Sequence, residues 1–253
     1  MTGSAILQDP NDTASYAIHA VAEAEGAPMT RLQRIFWPEG NPHSFLQFSR
    51  INPGEPAKRD VVAELHFIGK DDTGKTTKTG SKPFNIAACL ISYLGLEKPY
   101  QAAVEATGFG DRLSRLKATQ TRMRNAPDTV RSFGHVAGPR EQIIQAWNRA
   151  LEAAIAINQK NIPFVSISPK RTGPINCHAG TKAVLRCLGG EFAKIADVMD
   201  AQVRGRDITA RVNAATAYLR NPDVTVTVSL DTLVARQDSL RQALYQSARR
   251  QAL

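Results

Sequence analysis

Hydrophobic and polar positions alternate with a period of two over several stretches in the first third of the chain, a pattern typical of half-buried strands. The clearest stretch is 60–68, in which Val61, Ala63, Leu65 and Phe67 alternate with Val62, Glu64, His66 and Ile68. Similar alternation predicts strands over 31–37 and 44–51, with 75–80 as a further arm. Together these stretches predict a small antiparallel meander.

Most of the remaining hydrophobic positions recur at helical spacing. The most regular pattern spans 139–158, where Ile143, Trp147, Leu151 and Ile155 form a continuous apolar face behind Pro139. Further helices are predicted over 12–25, 84–95, 181–188, 208–219 and 231–250, with one or two more over 99–125, and short strands over 162–168 and 224–229.

These elements predict an α+β fold, with a small antiparallel sheet in the N-terminal third and a mainly helical body after it. The acidic first helix and the meander would form a unit over 1–82, and the helical domain would span 83–253. One continuous domain is the alternative. A hydrophobic composition of 42% is sufficient for a substantial core.

The net charge of +9 favours a polyanionic partner, and nucleic acid is the first hypothesis. The charge is unevenly distributed, because residues 1–30 contain four acidic residues, Asp9, Asp12, Glu23 and Glu25, and no Lys or Arg. Basic residues cluster in three later segments, 70–82, 112–124 and 170–186. The candidate contacts to DNA or RNA phosphates are Lys70, Lys75, Lys78, Lys82, Arg112, Arg115, Arg122, Arg124, Lys170, Arg171 and Lys182.

An alternative hypothesis is a nucleotide hydrolase, because residues 69–76 match the G-x-x-x-x-G-K-[ST] pattern that binds phosphates. Its candidate residues are Gly69, Gly74, Lys75 and Thr76. A P-loop also needs a helix directly after the pattern, and Gly80 and Pro83 oppose one there. Residues 71–74 instead favour a hairpin turn, because Asp and Gly are common turn residues.

A second enzymatic alternative is a cysteine hydrolase that uses Cys89, His178 and Asp197 as nucleophile, base and orienting carboxylate. Nearby, residues 176–182 are predicted to form an anion-binding loop ahead of a helix over 181–188. The position six residues after Cys177 is Ala183 rather than the arginine that a cysteine phosphatase requires, so an active phosphatase of that kind is excluded.

The three cysteines have no C-x-x-C spacing, which argues against a disulfide framework or a structural zinc and favours the reducing cytoplasm. No cofactor, metal or membrane partner is expected, and no apolar run is long enough to span a bilayer. The stretch 231–250 carries an incomplete leucine heptad that would either pair two chains or pack on its own domain. The sequence therefore favours a non-enzymatic, largely sequence-independent nucleic-acid-binding protein, with enzyme and self-assembling protein as alternatives.

Overall fold

A computed structural model of the chain describes residues 13–24, 42–51, 59–70, 100–108, 130–160, 162–164 and 176–202, together with 207, 209, 210, 212, 235, 236, 239, 240 and 242. One antiparallel sheet and three long helices make up this part of the protein. The α+β fold, with an antiparallel sheet followed by helices, is therefore confirmed.

The sheet has six strands in the order β5-β1-β2-β3-β4-β6. They are β1 (Ser15–Ala24), β2 (Pro42–Ile51), β3 (Arg59–Lys70), β4 (Tyr100–Gly108), β5 (Val130–Gly138) and β6 (Pro163–Phe164). The predictions of strands over 44–51 and 60–68 are confirmed as β2 and β3. The sheet contains strands from both sides of residue 82, since β3 pairs with β4 and β1 pairs with β5.

The register defines two ends of the sheet. Ala24 lies opposite Pro42, Lys70 opposite Gln101, and Tyr100 opposite Phe164, while Val130 lies opposite Glu23. We call this the upper end; it carries the ends of β1, β3 and β6 and the beginnings of β2, β4 and β5. The lower end carries the other terminus of each long strand.

Three helices cover one face of the sheet, which we call the helix face: α1 (Arg140–Gln159), α2 (Cys177–Leu188) and α3 (Gly190–Gln202). The core between them includes Ile18, Leu46, Phe48 and Trp147, and the Phe48 and Trp147 rings stack at 5.5 Å. The predicted helix over 139–158 is confirmed as α1. Helix α2 lies close to the sheet at Gly180, where a Cβ atom would be 2.9 Å from Cγ of Phe67.

The predicted anion-binding loop over 176–182 is wrong, because α2 begins at Cys177 and not at residue 181. Asn176 caps the helix: its side-chain oxygen accepts a hydrogen bond from the Ala179 backbone N–H at 3.0 Å. This bond satisfies one of the free N–H groups of the first turn. Residues 177–182 therefore belong to a buried helix and cannot wrap around an anion.

Two predicted helices are strands. Residues 15–24 form β1 in place of a helix over 12–25, and residues 100–108 form β4 within the predicted helical stretch 99–125. Alanine-rich sequences favour helices locally, but pairing with neighbouring strands overrides this preference. In β1 the period of two is present, since Tyr16, Ile18 and Ala20 contribute to the core of the helix face.

Strand β5 was not predicted at all. It contains a bulge, because the register with β1 shifts between Ala20 and Val21. Gly134 lies there with φ of 149°, a conformation that favours glycine, and Ile195 of α3 packs directly over it. The bulge interrupts the alternation that identifies a strand in sequence.

The described residues of the C-terminal stretch pack against α1. Leu240 is fully buried in the core, and its carbonyl accepts a hydrogen bond from Asn158 at 3.5 Å. Arg236 forms an ion pair with Glu152 of α1. Leu240 therefore belongs to the core of its own chain. This agrees with the alternative in which the stretch 231–250 packs on its own domain.

The predicted elements over 31–37, 75–80, 84–95 and 224–229, and most of 208–219 and 231–250, lie outside the described residues. Of the helices in the described ranges, none has both the length and the apolar character that crossing a bilayer requires.

Candidate functional site

The face of the sheet opposite the helices carries a row of polar side chains, and we call it the far face. Strand alternation places His19, His43, Gln47, Glu64 and His66 on this face. Each of them is buried. In the register, His19 lies opposite Gln47 and Gln47 opposite Glu64, so the row crosses the three central strands.

The Glu64 carboxylate lies at the centre of the hydrogen-bond network. Its Oε1 accepts a hydrogen bond from Nε2 of Gln47 at 2.8 Å, and its Oε2 lies 2.9 Å from Nε2 of His66. The other ring nitrogen of His66, Nδ1, lies 3.1 Å from Nε2 of His43. Since an ionised carboxylate only accepts hydrogen bonds, His66 donates from Nε2 and, when neutral, accepts from His43 at Nδ1.

Arg59 extends the network toward the lower end of the sheet. Its guanidinium donates to Oε1 of Gln47 at 3.2 Å and contacts Nδ1 of His19 at 2.7 Å. Because a guanidinium can only donate, Nδ1 of His19 is an acceptor and its proton is on Nε2. His135 stacks on His19 at 4.9 Å and is exposed. Four of the five histidines of the chain therefore share one face.

The network can move or store protons. Hydrogen-bonded chains of carboxylate and imidazole groups orient a base and stabilise the positive charge that forms on it. In the ranges that the structure describes, no three His, Cys, Asp or Glu residues are grouped so that they could hold a metal ion.

A second polar group lies on the helix face at the upper end. Oγ of Ser44, in β2, is 2.5 Å from Nδ1 of His178 in the first turn of α2. Burial, and after it the positive charge of Lys182, lowers the pKa of His178 to about 4, so this imidazole is neutral at pH 7. The bond links the beginning of α2 to the beginning of β2.

Lys182 and Arg186 hold α2 against α3 through carboxylates. Both form ion pairs with Asp200, and Arg186 also pairs with Asp197 at 3.4 Å and Asp207 at 3.3 Å. Lys182 is only 2% exposed, while the carboxylates lie closer to solvent. Because these carboxylates are 41–72% exposed, solvent screening keeps the contribution of each pair close to that of an ordinary surface ion pair.

The structure places five of the residues singled out in the sequence. Gly69 and Lys70 are the last two residues of β3, and Gly69 pairs with Ala102 of β4. His178 contacts Ser44 whereas Asp197 pairs with Arg186, so these two members of the suggested triad are not partners. Lys182 pairs with Asp200. The remaining candidates lie outside the described residues: Gly74, Lys75, Thr76, Lys78, Lys82, Cys89, Arg112, Arg115, Arg122, Arg124, Lys170 and Arg171.

The far-face network was missed in the sequence, although a signal for it exists. Glu64 and His66 occupy alternate positions of one predicted strand, and Gln47 lies within another. Polar residues at alternate positions normally indicate a solvated face, so burial of this face could not be anticipated. The contacts across strands depend on the register, which the sequence alone leaves open.

We expect stability to fall as the pH falls from 7.5 to 5.5, because two buried histidines resist protonation. Burial, then the charge of Arg59, then His135 lower the pKa of His19 to about 3, whereas the ordinary value is 6.5. Both His19 and His178 therefore contribute stability that is complete above pH 6.5 and is lost as the pH falls toward their folded values. Each contributes at most about 1.4 kcal/mol per pH unit in that window.

Urea unfolding at pH 7.5, 6.5 and 5.5 measures this dependence, and the variant His19→Asn isolates one of the two contributions. The slope of unfolding free energy against pH should be smaller in His19→Asn than in the original protein. The control variant His135→Asn, which replaces an exposed histidine, should keep most of the slope. An equal slope in the His19 variant and the original protein would contradict the assignment.

Comparison of the chain with models of protein families, with curated proteins and with solved structures finds no match.

Proposed function

We propose that this protein binds DNA or RNA through the phosphate backbone, largely independently of base sequence. The observation that carries the proposal is the position at which the three basic segments join the sheet. The segment after Lys70 leaves β3 at the upper end. The segment 109–129 leaves β4 after Gly108, at the lower end, and enters β5 at Val130, at the upper end. Lys170 and Arg171 lie between Phe164 of β6, also at the upper end, and Asn176.

The position at which α2 begins also supports attachment of the third basic segment at the upper end. Because His178 is bonded to Ser44, the second residue after Pro42, the helix begins close to the upper end of β2. The segment that carries Lys170 and Arg171 is thus joined to the upper end on both sides. Neighbouring strands are about 4.8 Å apart, so the points of attachment across six strands extend over about 24 Å.

The distribution of charge also supports the proposal. Among the described residues, acidic and basic side chains are nearly equal in number, whereas the whole chain carries +9. The excess positive charge therefore belongs to the stretches between and after the described elements: 112–124 carries five basic residues and no acid, 170–171 carries two basic residues, and the undescribed residues after 202 carry seven basic and three acidic residues. Clustered lysines and arginines contact phosphates without reading bases.

Lys182 is not part of the proposed contact surface, because its ammonium group is buried and paired with Asp200. Lys70 remains in it as the half-buried residue from which the first basic segment begins. We also propose a cytoplasmic location, because the three cysteines of the chain cannot all pair and have no C-x-x-C spacing, as expected in a reducing compartment.

Cross-linking with an oligonucleotide that carries a photoreactive base tests the proposal. Peptides from 71–82, 112–124 and 165–175 should carry the cross-links, for single-stranded and double-stranded probes alike. Cross-links confined to 52–58, the connection between β2 and β3 at the lower end, would overturn the proposed surface, and an absence of cross-links at low salt would overturn binding itself.

A further inference from the structure

Strand β5 lies at one edge of the sheet, and among the described strands only β1 pairs with it. In an antiparallel strand, successive residues direct their backbone N–H and C=O groups to opposite sides. Every second residue of β5 therefore presents these groups on the side away from β1. An edge of this kind can accept an added strand from another chain through backbone hydrogen bonds.

The sequence of this edge lacks the residues that commonly prevent strand addition. After the bulge, the five residues from Gly134 to Gly138 include no charged residue and no proline, and Pro139 follows directly. Charged side chains and prolines are the usual means by which edge strands avoid pairing with other chains. The stretch 134–138 is therefore suited to pairing.

The far face of β5 is exposed, although that of the neighbouring strand is buried. His135 and Ala137 are both exposed. Their partners in β1, His19 and Ala17, are 5% and 0% exposed. Burial of the far face thus ends between β1 and β5, and the β5 side chains on this face are in contact with solvent.

On the helix face, α3 places an apolar side chain beside the same edge. Ile195 packs over Gly134, so α3 lies above β5. Val198, about one turn further along α3, is 41% exposed and is the one exposed large hydrophobic residue in the described part of the chain.

The ion pairs between α2 and α3 define the direction of Val198. Asp200 pairs with α2, and it is turned about 200° around the helix from Val198 because it follows two positions later. Helix α2 contacts β2 and β3, which lie on the inner side of β5 in the strand order. Val198 therefore points away from α2, toward the outer edge of β5.

We propose that β5 and Val198 form a docking site for an extended segment of another protein, which adds to the sheet as a further strand. Its backbone pairs with residues 134–138. Its side chains at alternate positions contact Val198 and the half-buried Val136 on the helix face, and those between them lie beside His135 on the far face. The matching segment alternates apolar residues such as valine with small polar residues such as threonine.

A second copy of β5 fits this edge less well than a separate segment does. Antiparallel pairing of two β5 strands about a two-fold axis keeps the helices of both copies on the same face of the sheet. The two α3 helices would then lie over neighbouring strands about 4.8 Å apart, whereas packed helices need about 8–10 Å between their axes. A strand without a helix above it avoids this overlap.

The experiment titrates isotope-labelled protein with the synthetic peptide Glu-Val-Thr-Val-Thr-Val-Glu, blocked at both ends, and follows the backbone amide signals by NMR. Two further peptides carry N-methyl groups on all valines or on all threonines. The protein variants are Val198→Ser and the control Gln159→Ser, which replaces an exposed residue at the C-terminal end of α1. Thermal unfolding verifies that each variant is folded.

We expect saturable shifts of the amide signals of residues 134–138 with the unmodified peptide. One N-methylated peptide should lose binding and the other should retain it, because only one edge of the peptide faces β5. Val198→Ser should weaken binding about 5-fold through loss of an apolar contact, and Gln159→Ser should bind as the original protein does.

An absence of shifts in 134–138, or N-methylated peptides that both bind or both fail to bind, would overturn the docking site. Equal affinity of Val198→Ser and the original protein would contradict the contact assigned to α3. A dimer in analytical ultracentrifugation that the peptide dissociates would overturn the choice of a separate segment, since a second copy would then occupy the edge. Oligonucleotide binding should be equal in Val198→Ser and the original protein, so this proposal and the proposed function fail independently.

Discussion

Replacing Glu64 by alanine is expected to lower the free energy of unfolding by about 3–5 kcal/mol. The carboxylate is fully buried and accepts hydrogen bonds from both Gln47 and His66. Its removal leaves the Gln47 amide and the His66 ring without their acceptor in a buried environment, and it leaves the Arg59 guanidinium without the nearby negative charge that favours its ionised form. Urea unfolding at pH 7.5 measures the loss.

Two control variants separate this effect from loss of a carboxylate in general. Glu64→Gln retains one oxygen acceptor, for either Gln47 or His66, and should cost less than Glu64→Ala. Glu141→Ala removes an exposed carboxylate in the first turn of α1 and should cost at most about 1 kcal/mol. If Glu64→Ala were as stable as Glu141→Ala, the network would have no role in holding β2 and β3 together.

Reversing two charges in the first basic segment, Lys75→Glu with Lys78→Glu, is expected to weaken nucleic-acid binding by about 10- to 100-fold at low salt. Each lysine that neutralises a phosphate releases counterions, and each glutamate in its place repels the phosphate. Fluorescence anisotropy with a labelled oligonucleotide at 50 mM salt measures the change.

The control for this prediction is a single charge reversal elsewhere. Lys75→Glu is compared with Lys194→Glu, since both change the net charge equally. Lys194 is exposed on α3, beside Ile195, which packs over Gly134 in the middle of β5. An equal loss of affinity in the two single variants would mean that overall charge, and not the upper end of the sheet, determines binding.

The parts of the fold that the sequence predicts are those in which local pattern and tertiary environment agree. Strand β2, strand β3 and helix α1 have regular periods of two or 3.6 residues, and the structure confirms them. In β1 and β4, alanine favours a helix locally and only pairing with neighbouring strands decides the outcome. The bulge at Gly134 removes the regular alternation from β5.

Prediction of the candidate site from sequence is limited even more by its dependence on strand pairing. The basic segments are visible in the sequence, but the ends of the sheet at which they are attached depend on strand order. The link from His43 through His66 to Glu64 joins residues from two strands, and a shift of register by one residue would move a whole strand's side chains to the other face. A single sequence does not contain this information in any local pattern.

The salt dependence of oligonucleotide binding tests the central claim most directly, when the original protein and the double variant Lys75→Glu, Lys78→Glu are measured side by side. The logarithm of the association constant is plotted against the logarithm of salt concentration between 50 and 200 mM. A steep negative slope for the original protein, reduced by about 2 in the variant, is the predicted result. A flat line for the original protein, or identical lines for the two proteins, would contradict phosphate binding at the upper end of the sheet.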